Sequence, residues 1–206
     1  MPQLGKFGLP LTGAQVLDKL GGDALDAALL QLPMLGLAID DATLRRTREA
    51  VERDLGAGEL LHRYRGGDGI AEPEGAFVVC SFWLVDALLC EGKAAEAQAL
   101  FDRLLARAND VDLFAEQIDP RSGEFLGNFP QAFTHLGLLS AAVNLDLARR
   151  HGAAAVRGRA FGERAQRRIG ASFGWRGVLA GLRQSGRINL RSSRASRLPA
   201  AWAVRD

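Results

Sequence analysis

Two cysteines, three histidines and a single tyrosine stand in 206 residues, and each shortage narrows the chemistry. His62, His135 and His151 lie scattered along the chain, which argues against a metal site, where several ligands must converge. There is no CxxC pair, no HExxH, no GxGxxG after a strand, no P-loop and no GxSxG. Zinc-ribbon, metalloprotease, dinucleotide, phosphate-cradling and serine-hydrolase chemistry have no foothold. No cofactor is expected.

Cys80 and Cys90 fall in one apolar run, ten residues apart. If the run is helical they are separated by about 15 Å along its axis, too far for a disulfide. A reduced, cytoplasmic setting is expected. No window supplies the roughly 20 uninterrupted apolar residues of a bilayer span, so no membrane is a partner. Met1–Lys6 lacks the basic-then-apolar layout of a secretory signal. Hydrophobic residues at 48% and charged residues at 24% argue against wholesale disorder and suit one soluble domain, or a fragment of a larger one.

Lysine is missing from residues 149–206, where 14 arginines face only Glu163 and Asp206, a net +12. Residues 1–148 hold 12 basic and 22 acidic residues, a net −10. Opposite signs of this size divide the chain. An arginine-rich tail invites a nucleic-acid or membrane reading, but these arginines stand singly among Ala, Gly and Ser without interleaved aromatics. Nucleic acid is therefore disfavoured. The stretch 184–199 reads as disordered, 155–169 as one short helix, and the whole tail as a non-native extension such as out-of-frame translation.

Five helical segments precede it. Residues 23–37, 75–90 and 129–149 are apolar on nearly every side; in 75–90 only Ser81 and Asp86 interrupt. Residues 41–55 and 93–109 are striped, with Leu44, Val51 and Leu55 on one and Ala97, Leu100, Phe101, Leu104 and Leu105 on the other. Helices apolar all round are core helices, and striped ones cover them. The order inner, outer, inner, outer, inner predicts two concentric helical layers, as in an α/α toroid. Strictly alternating β-branched runs are scarce, so the expected class is all-α.

Short turns at 38–40 and 91–92 fall at one end of such an array, which sends the stretches 56–74 and 110–128 to the other. Loops of that length are uncommon unless they serve a purpose. The second contains Asp119-Pro120-Arg121-Ser122-Gly123, a turn by composition, with flanks 113–118 and 124–126 able to pair as a hairpin. Glu116 then sits on a rigid rim, either as a solvated glutamate or as a general base for an attacking water. Asn128 is a natural N-cap for the next helix, with Pro130 in its first turn and Gln131 in the capping-box position. His135, four residues on, reads as a buried, hydrogen-bonded side chain. In the first loop Arg63 and Arg65 point one way and Tyr64 the other if the segment is extended. Either arginine fork is suited to hydroxyls or a carboxylate. Glu74 is placed to favour a helix dipole or to meet a ligand.

The strings EGAFVVCSFWLVDALL and AEQIDPRSGEFLGNFPQAFTHLGLLSAA, preceded in order by GGDALDAALLQLPMLGL and LLHRYRGGDG, resemble the C-terminal part of glucoamylase/trehalase-type glycoside hydrolases of family 15. The resemblance covers residues 21–148; residues 1–20 remain unassigned and 149–206 form the tail. It implies part of an (α/α)6 toroid, about half of its helical hairpins, from enzymes that hydrolyse α-glucosidic bonds in maltooligosaccharides, glucans or trehalose with inversion. It implies Glu116 as the general base. Arg63 and Tyr64 match the family's sugar-binding pair, with Arg65 a competitor; Glu74, by its position and not by the resemblance, is a further candidate substrate contact. The family's general acid belongs to an upstream Trp-Glu motif, and no Trp-Glu pair occurs here. The isolated chain is thus expected to hydrolyse little. Its uncovered inner helices predict low stability, aggregation or pairing with another chain. The alternative is a non-catalytic helical fragment that binds a sugar or a protein.

Overall fold

Asp40 starts the first long helix. Its carboxylate accepts hydrogen bonds from Thr43 N (2.9 Å) and Thr43 Oγ1 (2.8 Å), the N-cap arrangement that satisfies an otherwise orphaned donor. Those bonds hold the Asp40 carboxyl below its ordinary range. In the computed structural model, which describes residues 3–4, 10–12, 15–16, 25–35, 39–65 and 75–158, four α-helices follow: α1 (Asp41–Leu55), α2 (Val78–Cys90), α3 (Ala94–Leu105) and α4 (Ala132–His151). A 3-10 helix spans Ala27–Leu35. The strands are short: β1 (Gln3–Leu4), β2 (Pro10–Thr12), β3 (Gln15–Val16), β4 (Gly56–Ala57), β5 (Leu60–Leu61), β6 (Ala76–Phe77), β7 (Gln117–Ile118) and β8 (Phe125–Leu126). Strands β1–β3 form an antiparallel sheet near the N-terminus, where the sequence suggested no assignment.

The layering expected from the apolar patterns is present. Every α2 residue except Trp83 is buried, and α2 packs against the 3-10 helix, α3 and α4. Helices α1 and α3 bury one stripe each. The fold is thus mostly helical, a partial six-hairpin arrangement. Both polar exceptions within α2 are spent on neighbours: Ser81 Oγ accepts from Leu61 N at 3.0 Å, and Asp86 Oδ1 accepts from Asn144 Nδ2 at 2.8 Å. One ties α2 to β5 and the other ties it to α4, so neither leaves an unsatisfied group in the core.

Two segments depart from expectation. The first inner segment is a 3-10 helix, not an α-helix, because Pro33 within it lacks an N–H and crowds an α-type turn. Helix α4 buries only Thr134, Gly137, Ala141 and Asn144, while Phe133 and Leu136 are 54% and 62% exposed. Its apolar pattern is that of an inner helix, yet one side has no cover among the described residues.

Both short turns do fall at one end. Arg157 Nε donates to Cys90 O at 2.7 Å and Arg157 Nη1 to Asp41 Oδ1 at 2.5 Å, while Val156 is buried. Val156 and Arg157 thus pack on the helical core, although they belong to the stretch set apart by charge, while residues 149–152 are exposed. The expectations for Glu74, for residues 159–206 and for most of the helix over 155–169 lie outside the described residues. Among those described, no helix is long and apolar enough to cross a membrane.

Candidate active site

The two long connections meet at the other end. β5 lies beside β6, and β6, β7 and β8 make a three-stranded antiparallel ladder with Ala76 opposite Ile118 and Gln117 opposite Leu126. The hairpin expected around the Asp119–Gly123 turn is the β7–β8 pair. Arg107 also donates to Glu59 Oε1, joining the β4–β5 turn to the end of α3. The Glu59 carboxyl is lowered in balance: burial, the largest single influence, pushes it up, but the Arg107 hydrogen bond, a backbone hydrogen bond and the Arg107 and Arg103 charges together outweigh it.

Glu116 precedes β7 and is held through its own backbone. Its N–H donates to Asn128 O (2.9 Å), and its carbonyl accepts from Val78 N (3.1 Å). Neighbouring residues are pinned as well. Thr134 Oγ1 donates to Ala115 O at 3.1 Å, and Gln131 N donates to Phe114 O at 3.0 Å. His135 Nδ1 lies 2.7 Å from Gln131 O, and Phe114 N donates to Nε2 at 3.3 Å. A carbonyl on Nδ1 and a donor on Nε2 assign the proton to Nδ1. His135 is thus hydrogen-bonded as expected from its position, but half-buried where a buried side chain was expected, and it faces Phe114. The side chain of Glu116 has two donors on one oxygen: Asn128 N (3.1 Å) and Asn128 Nδ2 (2.8 Å) both reach Oε2.

An open cleft of roughly 380 Å3, its mouth included, is lined by Arg63, Phe77, Val79, Cys80, Trp83, Glu116, Gln131, Phe133 and Thr134. The structure therefore brings Arg63 and Glu116 to one cavity. Tyr64 and Arg65 are not among the lining residues; Arg65 Nη2 instead reaches Gly56 O at 3.5 Å. The two arginines that share a direction in an extended chain are separated here, because Arg63 occupies a bend. The Arg63 carbonyl accepts from Ala27 N at 2.8 Å, and its Nε lies 3.5 Å from Asp26 Oδ2.

Sequence reasoning missed three residues. Asp26 orients the Arg63 guanidinium and caps the 3-10 helix through Ala28 N (2.7 Å). Asn128, read as the N-cap of α4, instead binds Glu116; the cap is Gln131, whose side chain accepts from Phe133 N, after a cis Phe129–Pro130 bond. Gly127 has φ +71°, and a Cβ there would stand 2.9 Å from Glu116 Oε2. The hairpin register held the signal for the last two, since pairing 117 with 126 sets 116 opposite 127.

Glu116 is, among the described residues, the only carboxylate on the cleft wall. Among the described residues Gln131 Nε2 makes no hydrogen bond, which leaves an amide donor on the same wall. Trp83 and Phe133 meet edge to face at 6.0 Å and add an apolar, aromatic side. One anion, one cation, an amide donor and aromatic edges suit a neutral ligand rich in hydroxyls.

Cys80 contributes no nucleophile. Burial pushes its thiol up to about 12, and Asp26 pushes it the same way; burial also raises Cys90 to about 12. Both are neutral thiols far above neutral pH. We expect neither to react with a disulfide reagent at pH 8 in the native protein and both to react after unfolding. Rapid native labelling of either would contradict the packing of α2.

Known proteins point the same way. The sequence pattern described as Glycosyl hydrolases family 15 matches residues 12–143. A trehalase of Mycolicibacterium smegmatis is 47% identical over 132 residues, 62% of this chain and 20% of that protein. A trehalase of Thermoplasma volcanium is 39% identical over 128 residues, 61% and 20% of the respective chains. The chain spans about a fifth of the length of the curated relatives it matches. A solved wild-type glycosidase superposes with a TM-score of 0.55 at 24% identity, covering 66% of this chain and 40% of its own, a likeness of fold.

Proposed function

Because the chain belongs to the glycosyl hydrolases of family 15, we propose that its cleft is the base half of an inverting α-glucosidase site, with trehalose as substrate. The single observation that carries this is that Glu116 and Arg63 line one cavity. Glu116 takes a proton from water while the water oxygen bonds to the anomeric carbon and the glycosidic oxygen leaves. Arg63, held by Asp26, binds glucosyl hydroxyls, and Trp83 and Phe133 bound the ring. Similarity to proteins named trehalases favours trehalose over maltooligosaccharides and glucans. The free, buried thiols agree with a cytoplasmic setting. Phe133 and Leu136, exposed on α4, support self-association or pairing with a further helical segment.

An inverting site needs a second carboxyl about 6.5–9.5 Å from the base to protonate the leaving oxygen. Among the described residues the cleft wall has none besides Glu116. α-Glucosyl fluoride separates the two halves of the chemistry, because fluoride departs without a proton. The chain is expected to release fluoride from it, with β-glucose as the first product seen by NMR, and to hydrolyse trehalose far more slowly. α-Glucose as first product would exclude inversion. Sugar binding without fluoride release would favour the non-catalytic reading.

A further inference from the structure

Asn128 grips Glu116 at three points. Its carbonyl accepts the Glu116 N–H at 2.9 Å. Its backbone N–H and its side-chain Nδ2 both donate to Glu116 Oε2, at 3.1 and 2.8 Å. Hydrogen bonds to an ionised carboxylate are the strong ones, and two on one oxygen leave the group little freedom to rotate. Among the described residues Oε1 accepts none. Gly127 permits the approach: a Cβ at that position would lie 3.1 Å from the Glu116 Cβ as well as 2.9 Å from Oε2.

Resting on Glu116 as the base, we propose that Asn128 is a positioning residue that ties down Oε2 and leaves Oε1 as the oxygen that receives the proton from water. The water O–H bond breaks toward Oε1, and the water oxygen forms the new bond to carbon as the leaving group departs with its electron pair. Asn128 touches neither water nor sugar and acts through Glu116. Helix capping does not explain the residue, because Gln131 caps α4.

Asn128→Asp and Asn128→Ala separate this role from that of a turn former. A turn former predicts that Asp, the closest in shape, preserves turnover better than Ala. A donor to Oε2 predicts the reverse, because Asp presents a second negative oxygen to Glu116. With α-glucosyl fluoride, Asn128→Ala is expected to lower kcat about a hundredfold, the scale of a misplaced catalytic group, with KM within about twofold of wild type. Asn128→Asp is expected to lower kcat further. Added to Glu116→Gln, Asn128→Ala is expected to cost nothing more, since both act through one group. Wild-type kcat in Asn128→Asp, with Glu116→Gln inactive, would overturn the positioning role and spare the base. Full activity in Glu116→Gln would overturn both.

A readout independent of turnover is the Asn128 side-chain amide in a 15N NMR spectrum. One Nδ2 proton is expected downfield and slow to exchange, and both changes are expected to vanish in Glu116→Ala. An amide signal indifferent to Glu116→Ala would overturn the proposal whether or not the chain turns over. Gly127→Ala keeps both partners and is expected to weaken the same downfield shift, because its Cβ displaces the carboxylate.

Discussion

Replacing Glu116 by glutamine is expected to slow fluoride release from α-glucosyl fluoride about a thousandfold, within the 10²–10⁴ range of general-base catalysis, with KM within about threefold of wild type. Glutamine fills the same volume and still offers an oxygen to Asn128, but its amide cannot accept a proton from water at neutral pH. The Arg63 and aromatic contacts that hold the sugar remain. A loss confined to kcat is the mark of an interaction made only in the transition state. If Glu116→Gln raises KM and leaves kcat unchanged, the carboxylate binds sugar and does not act on water.

The largest stability effect is expected at Arg48. Its side chain is 5% exposed in α1 and pairs with Glu91 (2.7 Å) and Glu52, which fastens α1 to the end of α2. Glu91 Oε2 is already buried without a partner among the described residues. Truncating Arg48 to Ala strands two carboxylates near one another. We expect about 3 kcal/mol of lost stability, the low end for breaking a buried pair, since Glu52 is partly open to water. Arg48→Met is expected to lose less, because its stem keeps part of the packing.

The pH dependence has a definite sign. Burial raises the Glu52 carboxyl above its ordinary value even with Arg48 opposing it. Without Arg48 it rises further, so the folded mutant binds a proton more readily than the unfolded chain. Its deficit is therefore full at pH 7.5 and shrinks as the pH falls through the raised Glu52 value. Urea unfolding at pH 7.5 and pH 5, with unchanged m-values, checks this. A deficit that grows on acidification would show that the Arg48 cluster is not what secures α1.

The helical layers were legible because burial on every side of α2, and on one stripe of α1 and α3, is a periodicity written locally along the chain. The hairpin around Asp119–Gly123 was legible from turn chemistry. Pro33 announced a disturbance but not a 3-10 helix, since how a segment absorbs a lost donor depends on what packs around it. Asn128 misled, because an Asn before a helical pattern is a good cap in isolation, and only the β7–β8 register shows that Glu116 competes for it. Asp26 was silent, being one acid among many until Arg63 lies beside it.

Residue order alone carried the resemblance to the family, and it determined the all-round burial of α2, the striped burial of α1 and α3 and the end at which the long connections gather, since these last follow from neighbours within a few turns of chain. Tertiary structure decided that Arg63, and not Arg65, shares a cavity with Glu116, and which oxygen of Glu116 is tied by Asn128. Those are contacts between groups brought together across β5, β6, β7 and β8. A hydrogen bond depends on ångströms and angles that no spacing along a sequence contains.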